Sequence, residues 1–355
     1  MTELLLGTKK GLFALEGDVG PGEFEITCRA FPGEPVDFAM RDPASGRVLA
    51  TVTSPFYGPK IWFADDPGGD WTQAEGVALP EGGEQALERI WVIVAGEDGS
   101  LYAGGDPGVL FESRDGGENW QLNRPLWEHR VAEDWQPGGG GLCLHSIVPW
   151  PGEPDKLAIA VSAAGVWLTD DHGENWRRGN RGIRPRYLPD DAPEDTLQLC
   201  VHRMERAQRD PERMFIQFHG GVYRSDDAGQ TWTAIGDGLP SDFGFPLALD
   251  PSDPDSAYVI PLTGDFDRVM PDGSVRVYET RDGGATWAPR GDGLPDRESY
   301  LTVLRRAFDR AGEGPGLQLY FGATSGDVFG SGDAGASWFT AATRLPPVYS
   351  VTATA

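Results

Sequence analysis

Apolar residues along this chain come in short runs separated by turns rich in glycine and aspartate. Leu157-Ala-Ile-Ala-Val161 and Arg213-Met-Phe-Ile-Gln-Phe218 are two such runs. Each is followed, across a glycine-containing turn, by a second run: Gly165-Val-Trp-Leu168 and Gly221-Val-Tyr-Arg224. A further apolar stretch, such as Leu142-Cys-Leu-His-Ser-Ile-Val148, precedes the first. Runs this short, bounded by turn residues and rich in β-branched and aromatic side chains, predict strands rather than helices.

A polar phrase closes each unit and ends on tryptophan, which opens another strand. It reads Ser113-Arg-Asp115-Gly-Gly117-Glu-Asn-Trp120, and it returns around Asp171, Asp227, Asp282 and Asp333, each time followed by glycine and then tryptophan. A worn copy stands at Asp66-Pro-Gly68-Gly-Asp-Trp71. The aspartates are 49, 56, 56, 55 and 51 residues apart. A period near 50 with four short strands per unit predicts an all-β fold, a β-propeller with four strands per blade. Six units end at these tryptophans. A seventh is split: Glu3-Leu-Leu-Leu-Gly7, Gly11-Leu-Phe-Ala-Leu15 and Phe24–Phe31 supply three strands, and Pro347-Val-Tyr-Ser-Val-Thr-Ala353 has the pattern of the missing innermost one. The expectation is a seven-bladed propeller over residues 1–355 as one domain. The C-terminal strand joins the N-terminal blade and leaves no open sheet edge.

Composition narrows the partners. Thirty Lys+Arg against 55 Asp+Glu give a formal net charge of −25. A surface this acidic repels phosphate backbones and anionic headgroups, so neither nucleic acid nor membrane is an expected partner. No run of apolar residues is long enough to span a bilayer, and Met1-Thr2-Glu3 lacks the basic start of a secretory signal, which predicts a cytoplasmic location. Three cysteines (Cys28, Cys143, Cys200) do not make a disulfide framework.

The Ser/Thr-x-Asp-x-Gly-x-x-Trp phrase is an Asp box. The chain resembles the Asp-box (bacterial neuraminidase repeat) propellers, which include sialidases, xyloglucanases, the sortilin ectodomain and photosystem II assembly factors. That resemblance implies boxes between the third and fourth strands, on the face away from the ligand, where Asp66, Asp115, Asp171, Asp227, Asp282 and Asp333 are structural. It also implies a glycoside hydrolase-like or carbohydrate- or small-molecule-binding role at the mouth of the central channel. A protein-interaction or assembly scaffold is the alternative. Seven blades, and Thr343-Arg344-Leu345-Pro346 as the only echo of the sialidase Phe-Arg-Ile-Pro motif, argue against exo-sialidase activity.

The mouth is where loop lengths become irregular, at 72–87, 121–141, 177–196 and 261–274. Aligning the units on the Asp-Pro pairs that follow Asp37 and Phe245 by five residues places Asp37, Trp91, His145, His202, Phe245, Tyr300 and Tyr349 in one ring. Aromatic walls with a few polar groups suit a small-molecule site. The segment 121–141 adds Trp127 and Trp135 for stacking, and Glu128, Glu133 and Asp134 as acids; Asp37 and Tyr349 complete the catalytic candidates. Asp265, Asp267 and Arg268, and Lys9 with Lys10, are weaker candidates on turns of the same face. His172 falls inside a box. His129, His145, His202 and His219 map to the mouth face of neighbouring blades, and they suggest a divalent transition metal and a metal-dependent enzyme as a further alternative. Cys143-Leu-His145 and Cys200-Val-His202 are matched phrases in adjacent blades. Equivalent side chains of radial blades point into successive gaps, so all four are not expected to meet.

Overall fold

The computed structural model describes residues 1–355 except 83–84, 186–188, 190–195 and 265. It contains seven four-stranded antiparallel sheets arranged as the blades of a propeller. In blade one the innermost strand is Val348–Thr354, followed outward by Thr2–Thr8, Gly11–Gly17 and Glu25–Ala30. Leu4 pairs with Ala353 and Leu6 with Val351, so the two ends of the chain close the ring in one sheet. The innermost strands of blades two to seven are Val36–Arg41, Arg89–Ala95, Leu144–Trp150, Val201–Arg206, Phe243–Leu249 and Phe308–Ala311.

The inner three strands of most blades carry continuous apolar runs because neighbouring blades cover both of their faces. Gly165–Thr169 and Met214–Phe218 are buried at every position. The fourth strands are short and partly exposed: Thr72–Gln73, Gln121–Leu122, Arg177–Arg178 and Thr233–Ala234 have two residues each. A stub at the rim gives little edge for another chain to pair with.

The boxes lie in the hairpins between third and fourth strands. In blade five, Ser225 Oγ donates to Asp227 Oδ1 at 2.8 Å, the Thr231 N–H donates to the same oxygen at 2.8 Å, and Thr231 Oγ1 donates to Oδ2 at 2.6 Å. The two residues after the aspartate turn left-handed, Ala228 at φ 57° and Gly229 at φ 83°. His172 takes the first of these positions in blade four, at φ 59°. The same bonds hold the Asp282 carboxyl down to about 2, the Thr286 hydroxyl being the largest cause. These aspartates are turn staples whose oxygens are already occupied.

One element was not foreseen. The segment 121–141, read as an irregular loop, contains a helix at Arg124–Ala132. Asn123 caps it by accepting from the Leu126 N–H at 2.8 Å, and Pro125 stands in its first turn.

Candidate functional site at the channel mouth

The strand register defines the ring at the mouth. Each box Ser or Thr pairs with a second-strand residue, and that residue pairs with a first-strand residue standing four places after the ring position. Thr169, Leu157 and Pro149 lead back to His145, and Ser225, Met214 and Arg206 lead to His202. The same path reaches Phe245 from Thr280 and Trp91 from Ser113. In blade two, Ala64, Val48 and Arg41 lead to Asp37. In blade seven, Ser331, Leu319 and Arg310 lead to Arg306, six residues beyond Tyr300. Tyr300, given the seventh place by spacing, is instead 69% exposed on the preceding loop.

The register slips at these positions. A shift falls at Asp37, Trp91, His145, His202 and Tyr349, and between Gly244 and Leu247 beside Phe245. Each slip is a β-bulge, which bends the strand and re-aims a side chain. The mouth is therefore ringed by residues turned out of the regular pleat.

Arginines converge on this ring. Arg305, next to the seventh position, reaches across the mouth. Its guanidinium lies 4.9 Å from the centre of the Phe245 ring and 5.8 Å from that of Trp91, and Nη2 donates to Ser162 Oγ of blade four at 3.5 Å. Arg89 stacks on the other part of this wall, 4.6 Å from Trp91, and Arg268 lies 5.4 Å from Phe245. Burial, and the charges of Arg268 and Arg89, push Arg305 below the usual guanidinium value, but a guanidinium stays charged at neutral pH. Arg305 Nε is buried and has no hydrogen-bond partner among the described residues.

Asp37 is the acid that the geometry brings to these arginines. It is 5% exposed, accepts from Thr53 Oγ1 at 2.5 Å and faces Arg89 Nε at 3.4 Å, an ion pair without hydrogen-bond alignment. Burial outweighs the attraction of Arg89 and lifts its carboxyl to about 6. Burial also raises the Tyr349 phenol, with Arg89 lowering and Asp37 raising it further. Further along the innermost strands, Arg310 of blade seven faces Glu205 of blade five at 3.7 Å, a contact between blades that are not neighbours.

The four histidines do not form one cluster. His145 is fully buried: Nε2–H donates to the Val201 carbonyl at 2.7 Å, and Nδ1 accepts from Ser146 Oγ at 3.0 Å. Nε2 joins blade four to blade five, and Nδ1 is spent within blade four. His129, on the helix, packs edge-on against Trp167 at 4.8 Å, and burial holds its imidazole below the usual value. His202 and His219 do meet, with ring centres 5.5 Å apart beside Phe243 and Phe245. Spacing could not separate His145 from His202, because what differs is the partner across the gap.

The helix segment fills the core side of blades three and four. Trp135 is buried against Trp167 at 5.0 Å, and Trp127 lies under Arg130 at 3.9 Å. Glu133 caps the helix and pairs with Arg178, while Glu128 and Asp134 are exposed. These residues are not brought to the arginines. Asp265 lies outside the described residues. Two open grooves of about 530 and 520 Å³ lie beside the boxes, lined by groups such as Glu112, His172, Asp155 and Arg177. Their polar groups pair with each other, Glu112 with His172 and Arg177 with Asp170, so the mouth remains the stronger site.

The chain is a seven-bladed β-propeller with Asp-box phrases in its outer hairpins, and in this it is similar to the Asp-box repeat propellers. The BNR/Asp-box repeat model matches residues 223–234, which run from the end of the third strand through the box to the fourth strand of blade five. Over 142 residues, 40% of this chain, the sequence is 25% identical to the photosystem II assembly lipoprotein Ycf48 of Synechococcus sp. (strain CC9902). Among solved structures, an ancestral GH74 enzyme superposes with a TM-score of 0.56 at 16% identity over 83% of this chain. YCF48 from Cyanidioschyzon merolae superposes at 0.53 with 15% identity, covering 86% of this chain and 83% of that one. The likeness spans about a third of the Synechococcus protein (35%) and of the ancestral GH74 enzyme (36%). At these identities the structural likenesses report a shared fold.

Proposed function

We propose that this propeller is a binding protein that takes an acidic peptide segment of a partner at its channel mouth. The observation that carries the reading is the convergence of Arg89, Arg268 and Arg305 on the Trp91 and Phe245 rings, in a chain of net charge −25. Like charges held this close call for an anion, and a forked guanidinium with an unpartnered Nε is shaped to take a carboxylate. The rim suits a peptide better than a small solute. Phe56 and Tyr57 on the blade-two turn, Phe266 on the blade-six turn and Tyr300 before blade seven are 85%, 79%, 98% and 69% exposed, all on the mouth face. Exposed aromatics around a charged centre are the make-up of a protein-recognition surface. A Ycf48 structure carries a bound D1 peptide, so the same fold supports this use elsewhere.

The test is fluorescence anisotropy with rhodamine-labelled Asp/Glu-rich peptides at low salt. Binding should weaken at least tenfold in Arg305→Leu and fall steeply with added salt. Failure of every acidic peptide to bind, or equal binding by Arg305→Leu, would overturn the reading.

A second reading has one observation in its favour. Asp37, with its carboxyl near 6 and Tyr349 beside it, is suited to proton transfer at neutral pH, so hydrolysis of an acidic glycoside is the enzymatic alternative. Turnover of a uronic-acid aryl glycoside, lost in Asp37→Asn, would establish it.

A further inference from the structure

We propose that Cys200, His202 and His219 form a binding site for one divalent transition metal of the zinc class, set in blade five beside the arginine mouth. The proposal goes beyond the peptide reading and does not depend on it.

Three features of the fold build the site. First, Cys200 Sγ and one nitrogen each of His202 and His219 lie within 4.8 Å of one another. Donors around a tetrahedral zinc ion stand roughly 3.5 Å apart, as follows from Zn–S near 2.3 Å and Zn–N near 2.0 Å. Ligation therefore requires the three side chains to rotate toward one another. Second, the backbone fixes the donors in pairs. The His219 N–H donates to the Cys200 carbonyl at 3.0 Å, which ties the turn to the start of the innermost strand, and the bulge at His202 re-aims its ring there. Third, the His202 tautomer is set for ligation. A carbonyl can only accept, so the 2.6 Å contact of Nδ1 with the Gly244 oxygen makes Nδ1 the protonated nitrogen and leaves the lone pair on Nε2. Metal-binding histidines commonly donate their other N–H to a backbone carbonyl in this way.

Blade four is the internal control. It has the same Cys-x-His phrase, but Ser162 stands where blade five has His219, with its N–H on the Cys143 carbonyl at 2.9 Å. Cys143 Sγ donates to the Gly140 carbonyl at 2.9 Å, and burial pushes its thiol up to about 12. His145 has both nitrogens engaged. The phrase alone makes no site; the third donor and the spare lone pair do.

Metal binding releases the Cys200 thiol proton, and the thiolate offsets one of the metal's two charges beside Arg305. Three protein donors leave one tetrahedral position for water or a ligand group.

Cobalt(II) is the probe, added to protein stripped with a chelator. One equivalent should bind per chain, with visible bands of tetrahedral intensity and a near-ultraviolet thiolate-to-cobalt band. Cys200→Ser should abolish the near-ultraviolet band. His219→Gln should weaken binding at least tenfold, and Cys143→Ser should leave the spectrum unchanged. Circular dichroism verifies that each variant is folded; Cys200 and His219 are only part-buried, which favours this. A folded wild-type chain without the near-ultraviolet band, or a band that survives Cys200→Ser, overturns the site. A cobalt spectrum without peptide binding would refute the peptide reading and leave the metal site standing.

Discussion

Blades four and five start from the same phrase and end in different chemistry. In blade four, Cys143 and His145 are closed off: the thiol donates to a carbonyl, and the imidazole bridges Ser146 and Val201. In blade five, the ring of His202 is held through Nδ1, and His219 stands opposite Cys200. The boxes behind the two blades are alike, with Asp171 and Asp227 accepting from Thr169 and Ser225 at 2.8 Å. A repeat can therefore keep its scaffold end and vary its mouth end, because the bonds of the box aspartate stay within the hairpin while the mouth contacts cross to the next blade.

Removing the two histidines should separate these roles most strongly. His145→Ala deletes a fully buried ring and two hydrogen bonds, and should cost about 2–4 kcal/mol in urea unfolding with the slope unchanged. His202→Ala removes one hydrogen bond to backbone and should cost less. Equal losses would mean that both rings serve only as packing.

A smaller effect should appear on the other side of the mouth. The Asp37 carboxyl lies near 6 in the folded chain, above the usual aspartate range, because burial disfavours its charge. A raised carboxyl contributes stability that is present below about pH 4 and lost as the pH rises through 6. Below pH 6 the neutral acid also releases Arg89. Acidic-peptide affinity should then rise several-fold from pH 7.5 to 5, and Asp37→Asn should be tight at both. A variant that keeps the wild-type pH profile would assign the titration to another group.

The smallest expected change is the sharpest test of the comparison. Ser162→His gives blade four the third donor of blade five. No second cobalt equivalent should bind, because Cys143 and His145 stay engaged. A second equivalent would show that the turn histidine alone decides metal binding.

Much of the architecture was legible before any coordinates. The period of the boxes counted the blades, and the strand pattern at Pro347–Ala353 announced the closure later seen between Val348–Thr354 and Thr2–Thr8. The helix at Arg124–Ala132 was missed although Asn123 and Pro125 mark its start, because glycines and acids around it read as loop. The site was legible only as a set of positions. Asp37, Trp91, His145, His202 and Phe245 share one register, but spacing points to Tyr300 where the register puts Arg306, six residues further on. Arg305 carried no signal: it belongs to no repeat position and acquires its role by reaching rings on blades three and six.

What the sequence by itself determined is everything that depends on neighbours within one hairpin: the boxes, the turns, the strand order and the closure of the ring. These follow from hydrogen bonds and side-chain alternation over a few residues, which a linear pattern records. Which polar groups meet at the mouth was decided only when seven sheets came together around one axis. Contacts there join residues far apart in the chain, Arg305 with Ser162 and with Trp91 among them, and no local rule specifies the distance between two bulges on different blades.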